Sequence, residues 1–130
     1  LDSASFFTSD IPALGDFRMV SFAGTRGDDP YIGVNQAAEY FQSVDGIPPA
    51  SGRFILGADL AELWVQAVNL AGTADSRVVA ETIKSFGTFS VPSGLIKFEG
   101  TQAVTTRTLR MLRNVEGYMV FDSLIQEVSQ

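Results

Sequence analysis

Side chains that act as nucleophiles or general bases are few in this sequence, and none is arranged as a catalytic site. The chain contains no histidine and no cysteine, which excludes a Ser–His pair, a cysteine nucleophile and a zinc–thiolate site within it. No Gly-x-Ser-x-Gly sequence surrounds the candidate nucleophiles Ser21, Ser43, Ser90 and Ser93. We therefore predict that this chain binds something rather than transforms it, without catalysis and without a cofactor.

Three carboxylates, those of Asp28, Asp29 and Asp45, are the remaining candidates for holding a cation or for acid–base chemistry. The alternating oxygen ligands of a calcium-binding loop are absent around them, and the paired aspartates in GTRGDDP would repel a phosphate group. Because isolated carboxylates are most often surface residues, we interpret these three as solubilising loop charge and predict no metal site.

The charge balance of the chain argues against two large classes of partner. Nine basic and fifteen acidic residues give a net charge of −6, whereas nucleic acids and anionic membranes attract positive patches. Arg107, Arg110 and Arg113 are the one basic concentration, and Arg110 is out of phase with the other two on a strand. We interpret them as solvated strand surface.

Length and hydrophobicity predict one folded domain over residues 1–130. The chain is 45% hydrophobic and 18% charged, which is an ordinary globular composition. No uninterrupted apolar run reaches the roughly 18 residues that a membrane-spanning helix needs, so we predict no direct membrane insertion.

Two helices are predicted over 59–71 and 76–86. In the first, apolar residues including Trp64 recur at helical spacing, which places Trp64 in the core, and Gly72 ends the helix. In the second, Asp75 is the predicted N-cap.

The first half of the chain is less regular in its pattern. Residues 17–24 have the composition of a buried strand, and 45–52 form a loop rich in Gly and Pro. The segment 31–44 is ambiguous: its first half favours a short helix, and its second half, AAEYFQSV, favours a strand. Residues before 17 are predicted to form a short helix or a loop.

The second half of the chain is predicted to contain strands around two turns. The stretch FSVPSGLIKFEG turns at a Pro-Ser-Gly step and enters a short strand, and the alternation in 106–113 predicts an antiparallel hairpin over about 104–121. The two helices would connect parallel strands, because parallel pairing requires such crossovers. We therefore expect a layered α/β fold.

The segment LWVQAVNLAGTADSRVVAETIKSFGTFSVPSGLIKFEG resembles the C-terminal part of the type I periplasmic binding proteins, the solute-binding components of ABC importers. The shared order is a helix ending in Ala-Gly, a polar step with Asp, a second helix, an aromatic residue, a turn with Gly, and a strand ending in Phe and an acidic residue. Upstream, MVSFAGTRGDDPYIGV and AAEYFQSVDGIPPASGRF are similar to the branch that binds urea and short amides. The resemblance covers about 17–121.

The resemblance implies an α/β fold, namely part of a type I periplasmic-binding-protein lobe with a Rossmann-like sheet and flanking helices, plus the C-terminal antiparallel hairpin. It implies that VPSG is the last crossover between two lobes. Two departures are visible: 53–59 is shorter than the corresponding family segment, and the match is to the last third of a longer, two-lobed protein. Most of the family's pocket therefore has no counterpart in this chain.

The resemblance also implies a function and a place in the cell. The expected ligand is a small polar molecule such as urea, a short amide or an amino acid, and the expected partner is an ABC permease. The location would be periplasmic or otherwise extracytoplasmic, although no signal peptide is visible. The implied ligand-binding residues are Ser21 and Ser43 as hydrogen-bonding groups, Phe22 and Tyr40 as flat packing surfaces, and Asp29 as an acceptor from an N–H group.

A second function class stays open on the sequence alone. The chain could be an interaction or assembly module that oligomerises and has no small-molecule ligand, with Phe22 and Tyr40 in the core and the serines as strand-end residues. A single piece of a lobe leaves apolar faces and strand edges uncovered, so we expect a homo-oligomer or strand exchange.

Overall fold

The computed structural model describes residues 15–98 and 105–126, and the predicted N-terminal helix or loop lies largely outside them. The helices are α1 (Ile32–Asp45), α2 (Ile55–Ala71) and α3 (Ser76–Phe86), with a 3-10 turn at Gly52–Phe54 before α2. The strands are β1 (Arg18–Ser21), β2 (Thr88–Val91), β3 (Gly94–Phe98), β4 (Thr105–Arg107), β5 (Leu109–Val115) and β6 (Tyr118–Gln126).

The strands form two three-stranded sheets, and all their described pairings are antiparallel. Sheet A has the order β1-β5-β6 and sheet B the order β2-β3-β4. The expected parallel pairing is therefore wrong for the described strands. The physical reason is that short turns close the pairs β2–β3 and β5–β6, while α1, α2 and α3 connect β1 in one sheet to β2 in the other.

The VPSG step is a hairpin turn within sheet B and not a crossover between lobes. Val91 pairs directly with Gly94, so Pro92 and Ser93 form the tip of the β2–β3 hairpin. Gly94 has φ +120°, a backbone conformation that favours glycine. The chain passes from sheet B to sheet A at Thr108, the single residue between β4 and β5.

The predicted C-terminal hairpin is confirmed, with different bounds. Strands β5 and β6 pair from Leu109 with Gln126 to Val115 with Tyr118, and Glu116 and Gly117 form the turn, both with positive φ. The hairpin thus starts later and ends later than 104–121. The first residues of that prediction that the structure describes belong to β4, which pairs with β3 in sheet B.

The predicted packing of two helices on a sheet is confirmed. The largest apolar cluster joins α2, α3 and sheet B through Leu63, Ala67, Val79, Phe89, Val91 and Ile96. Helix α3 has the predicted bounds, and the Asp75 carboxylate accepts hydrogen bonds from Arg77 N and Val78 N, both at 3.1 Å. Helix α2 begins at Ile55, earlier than predicted, because the turn Gly52–Phe54 leads directly into it.

The prediction that Trp64 is a core residue is wrong, since 44% of the side chain is exposed. The face of α2 that packs inward carries Asp59, Leu63 and Ala67 at a spacing of four, and Trp64 lies one position further round the helix. Within the described residues, the helical segment Gly52–Ala71 is long and apolar enough to cross a membrane by length and composition alone, with mean hydropathy 1.3. In the described structure 22% of that window is buried, and α2 packs on sheet B through its inward face.

The prediction of a strand in AAEYFQSV is also wrong, because these residues continue α1. Val34 and Ala38 are buried one helical turn apart, and Gly46 ends the helix with φ +76°. The first turn of α1 lies so close to the β2–β3 hairpin that a Cβ at Gly33 would be 2.9 Å from Pro92 Cα. The predicted buried strand at 17–24 is present as β1, but its sides alternate, and Val20 is 52% exposed.

Candidate ligand-binding site

A buried ion pair joins the loop after β1 to strand β5. The Arg110 Nε donates to Asp29 Oδ2 at 2.9 Å, Nη2 donates to Oδ1 at 3.2 Å, and both side chains are 0% exposed. Asp29 also accepts from the backbone N–H groups of Gly24 and Tyr31 at 2.8 and 3.0 Å. Its carboxylate therefore organises the loop between β1 and α1 as well as holding the guanidinium.

A second ion pair lies against the same hairpin turn. Arg107 Nη2 donates to Asp59 Oδ2 and, at 2.9 Å, to Ser93 Oγ. Asp59 in turn accepts from Ser93 N at 3.0 Å and Ser93 Oγ at 2.6 Å. Ser93 O accepts from Arg110 Nη2 at 2.8 Å, which connects both ion pairs through one residue. We call this cluster the clamp; it consists of Asp29, Asp59, Ser93, Arg107 and Arg110.

The clamp corrects two interpretations made from the sequence. Asp29 is not solvated loop charge, whereas Asp28 and Asp45 are exposed as expected. Arg110 is fully buried and Arg107 is 13% exposed in its side chain, so only Arg113, at 50%, fits the solvated strand surface. The cause is that β4 and β5 belong to different sheets, and both arginines point into the space where the sheets meet the β2–β3 turn.

Beside the clamp lies an open cavity of about 400 Å³ along the outer side of β1. We call it the β1 cavity, and it is lined by Phe17, Arg18, Met19, Val20, Ser21, Phe22, Arg53 and Leu109. Its shape depends on a close approach between the turn before α2 and β1, since a Cβ at Gly52 would lie 2.0 Å from Ser21 Oγ.

Two of the five predicted ligand-binding residues line this cavity. Ser21 is 3% exposed, and its hydroxyl donates to Ala23 O at 2.9 Å. Phe22 is partly buried, and the Arg107 guanidinium carbon lies 5.0 Å from the centroid of its ring. Asp29 is connected to Phe22 through Arg110, which donates to Phe22 O at 2.9 Å, but Asp29 has no exposed side-chain surface.

The other two predicted residues lie elsewhere, on α1. Tyr40 is 73% exposed and lines a separate groove of about 410 Å³ with Phe41, Val44 and Phe54. Ser43 is exposed and donates to Tyr40 O at 2.7 Å. Because the segment is helical, it does not present these side chains at a strand end. The structure thus brings Ser21, Phe22 and Asp29 together and leaves Tyr40 and Ser43 apart from them.

Sequence reasoning missed Arg53, Asp59 and Arg107 as members of these sites. Asp59 carried a usable signal, because it is a lone carboxylate on the apolar stripe of a predicted helix and therefore needs a buried partner. The arginines gave no such signal in the sequence, because their partners are distant along the chain. Arg107 is 48 residues from Asp59, and Arg110 is 81 residues from Asp29. Arg53 directly follows the predicted loop 45–52, where the sequence indicates no particular contact.

The chemistry available at the candidate nucleophiles differs from that of the β1 cavity. Ser93 is 2% exposed, and its hydroxyl donates to Asp59 and accepts from Arg107, so it is closed to a substrate. No group of three acidic side chains that could hold a metal ion occurs within 15–98 or 105–126. The β1 cavity, by contrast, offers an apolar surface with charged side chains at its margin, which is the usual composition of a small-molecule site.

No protein-family model matches the sequence, and no curated protein matches it. Among solved structures, the chain is similar to the leucine-binding protein LivK of Thermotoga maritima, with a TM-score of 0.71 and 19% identity over 95% of the chain and 35% of that protein. It is also similar to an ABC-transporter solute-binding protein of R. palustris solved in complex with benzoate, with a TM-score of 0.61 and 20% identity over 88% of the chain and 31% of that protein.

These similarities establish the fold class predicted from the sequence. The chain has an α/β fold that corresponds to part of a type I periplasmic-binding-protein lobe, with its helices against sheets and an antiparallel C-terminal hairpin. It spans about a third of the length of the two proteins, 35% and 31% respectively.

Proposed function

We propose that this chain is part of a solute-binding protein that captures a small molecule for ABC-type import outside the cytoplasm. The observation that carries the proposal is the match of 95% of the chain to a leucine-binding protein at a TM-score of 0.71. The second similar structure holds benzoate as an ABC solute-binding protein, which supports the same class of function. The role is binding, without catalysis, and the expected partner is an ABC permease.

Within this function, the β1 cavity is the proposed ligand-contact surface of the chain. Phe22 packs on the ligand, and Ser21 orders the end of β1 through its bond to Ala23 O. Asp29 acts behind the surface by fixing Arg110, which holds Phe22 O and therefore the backbone of the cavity wall. Direct contacts from Tyr40 and Ser43 stay predictions from the family resemblance, which implies urea, a short amide or an amino acid as ligand.

Calorimetry of the chain with leucine, acetamide, urea and benzoate tests this proposal. We expect weak binding of at least one of these compounds, because the chain matches only about a third of the similar proteins and so supplies a part of a cleft. Phe22→Ala removes the aromatic wall and should reduce that binding. Its matched control is Phe86→Ala, which removes an equally large ring that is 56% exposed and does not line the β1 cavity. Absence of heat with all four compounds would contradict solute binding by this chain.

The alternative function, an assembly module without a small-molecule ligand, also has an observation in its favour. Several large apolar side chains are exposed on one helix, including Leu60 at 66% and Val65 at 53%. In addition, β1 pairs only with β5 among the described strands. A stable oligomer by light scattering, together with no binding of any of the four solutes, would favour this alternative.

A further inference from the structure

We infer that the β1 cavity selects an organic anion, specifically a carboxylate with an apolar body, and that Arg53 is the group that recognises its charge. This inference rests on the proposed solute-binding function and deepens it, because the family resemblance alone implies a mostly uncharged polar ligand. Three features of the cavity support it. They are the unpaired guanidinium of Arg53, the positive charge of the described lining residues, and the apolar surface beneath these charges.

The first feature is an unpaired guanidinium. Among the residues that the structure describes, the Arg53 guanidinium forms no hydrogen bond and no ion pair, and only the backbone N–H of Arg53 donates, to Ser51 Oγ at 3.1 Å. The other arginine of the cavity, Arg18, faces Asp16 with 3.5 Å between Nη2 and Oδ2. Arg53 therefore keeps all five N–H donors of its fork available, and this geometry matches a carboxylate.

The second feature is the sign of the local charge. The whole chain has a net charge of −6, yet the described residues that line the β1 cavity include two arginines and no acidic residue. Arg107 adds a third positive charge behind the wall, 5.0 Å from the centre of the Phe22 ring, although Asp59 pairs with it. A ligand with a negative charge is thus favoured at this place over a neutral or cationic one.

The third feature is the surface under the charges. Phe17, Met19, Phe22 and Leu109 line the cavity, and Met19 and Phe17 continue into the apolar cluster of sheet A. A volume of about 400 Å³ is within the range of roughly 300–1,000 Å³ for small-molecule sites. Urea would leave this apolar surface exposed to water, whereas a ligand with an aromatic or branched aliphatic body covers it.

The position of Arg53 at the cavity is set by the backbone of the preceding residue and not by contacts of the Arg53 side chain. It follows Gly52, whose Cα packs against the end of β1, where a Cβ would lie 2.0 Å from Ser21 Oγ and 2.6 Å from Ala23 O. This close approach holds the start of the turn Gly52–Phe54 beside β1. The side chain can therefore reach a ligand over the cavity while it stays hydrated in the free protein, which avoids the desolvation penalty of a buried unpaired charge.

The test compares benzoate with benzamide, two ligands of nearly the same shape and different charge. Backbone amide shifts of the isotopically labelled chain are followed during titration. We expect benzoate to shift the amides of 17–22 and 51–54 and to bind about three- to tenfold more tightly than benzamide, a range kept small because Arg53 is exposed and screened by solvent.

Arg53→Gln should remove this preference by weakening benzoate binding about three- to tenfold while benzamide binding stays unchanged. Arg53→Lys keeps the charge but loses the fork, so it should retain part of the preference. Arg77→Gln is the matched control, since it removes the same charge from an exposed arginine of α3 that faces Glu81 at 3.7 Å and does not line the cavity. It should leave both affinities unchanged.

Three outcomes would overturn the inference. Equal binding of benzoate and benzamide at the cavity would leave solute binding intact and remove the anion preference. An equal loss of benzoate binding in Arg53→Gln and Arg77→Gln would assign the preference to overall charge and not to Arg53. Binding of neither compound, nor of the solutes used in calorimetry, would contradict both the inference and the proposed function.

Discussion

The clamp and the β1 cavity adjoin each other, and both contain arginines, but the guanidinium groups differ in burial and in hydrogen bonding. Arg110 in the clamp is 0% exposed and donates five hydrogen bonds, to Asp29 Oδ1 and Oδ2 and to the carbonyl groups of Phe22, Ser93 and Thr108. Arg53 at the cavity is exposed, and its guanidinium has no partner in the described chain.

This difference follows from the free energy of desolvation. A guanidinium removed from water is tolerated only when its N–H donors are satisfied and its charge is paired, which is the state of Arg110. A hydrated guanidinium has no such requirement, so Arg53 remains able to exchange water for a ligand. The clamp therefore fixes the position of the cavity wall, and Arg53 is the group that we infer to recognise the ligand.

The largest expected effect comes from breaking the clamp at Arg110. Arg110→Met leaves the Asp29 carboxylate buried without its cation, and we expect the free energy of unfolding to fall by about 3–5 kcal/mol. Urea denaturation, followed by Trp64 fluorescence and circular dichroism, measures the change. Arg113→Met is the matched control at an exposed arginine and should change the free energy by less than about 0.5 kcal/mol.

If Arg110→Met does not fold, the double variant Asp29→Asn with Arg110→Met keeps the idea testable. It removes the buried charge while the Asn side-chain oxygen can still accept from the N–H groups of Gly24 or Tyr31. The double variant should therefore be more stable than Arg110→Met alone. A fall of less than about 1 kcal/mol in the single variant would contradict the structural role of the clamp.

A smaller effect is expected from disturbing the support of the cavity without touching the clamp. Gly52→Ala places a Cβ 2.0 Å from Ser21 Oγ and 2.6 Å from Ala23 O, so the turn or β1 must shift. We expect a loss of about 1–3 kcal/mol in the free energy of unfolding and a loss of benzoate binding.

Gly57→Ala is the matched control for that substitution. Gly57 lies in α2, and a Cβ there would meet no atom within 4 Å. Since alanine is the better helix former, this variant should be more stable by up to about 1 kcal/mol. Equal stability changes in the two variants would show that the close approach at Gly52 has no energetic consequence.

The elements predicted correctly from the sequence are those set by neighbours along the chain. Helix α3 has local signals at both ends, an Asp75 cap whose carboxylate accepts two backbone N–H bonds and a Gly87 with φ +79°. The hairpin of β5 and β6 has an alternating pattern and a short turn. The prediction for the second half of α1 was wrong because Tyr40 and Phe41 favour a strand locally. The burial of Val34 and Ala38, one helical turn apart, favours a helix instead.

The site was predictable only in part, because its geometry depends on distant residues. Ser21 and Phe22 were predicted through the family resemblance, and both line the β1 cavity, while their contact with a ligand stays a prediction. The burial of Arg110 was not predictable from one sequence, since Asp29 lies 81 residues away and the two meet only when sheet A forms beside the β2–β3 turn. The alternation along a strand predicts the side on which each arginine lies, but it does not predict which sheet the strand joins.

The smallest expected effect comes from a substitution at Thr108, which lies next to the clamp at the crossing between the two sheets. Thr108, between β4 and β5, is 1% exposed, and its hydroxyl has no hydrogen-bond partner among the described residues. It faces Gly94, where a Cβ would lie 3.1 Å from Thr108 Oγ1. A buried hydroxyl without a partner is unfavourable, so the methyl group of Thr108→Val should raise the free energy of unfolding by up to about 1 kcal/mol.

Urea denaturation measures this change, and Thr82→Val in α3 is the matched control. The Thr82 hydroxyl donates to Val78 O at 2.9 Å, so its removal loses a hydrogen bond and should not stabilise the protein. A loss of more than about 1 kcal/mol in Thr108→Val would mean that the hydroxyl is hydrogen-bonded in solution. In that case the crossing between the two sheets is held by a polar contact in addition to the two arginines, and Thr108 would belong with the clamp and not with the β1 cavity.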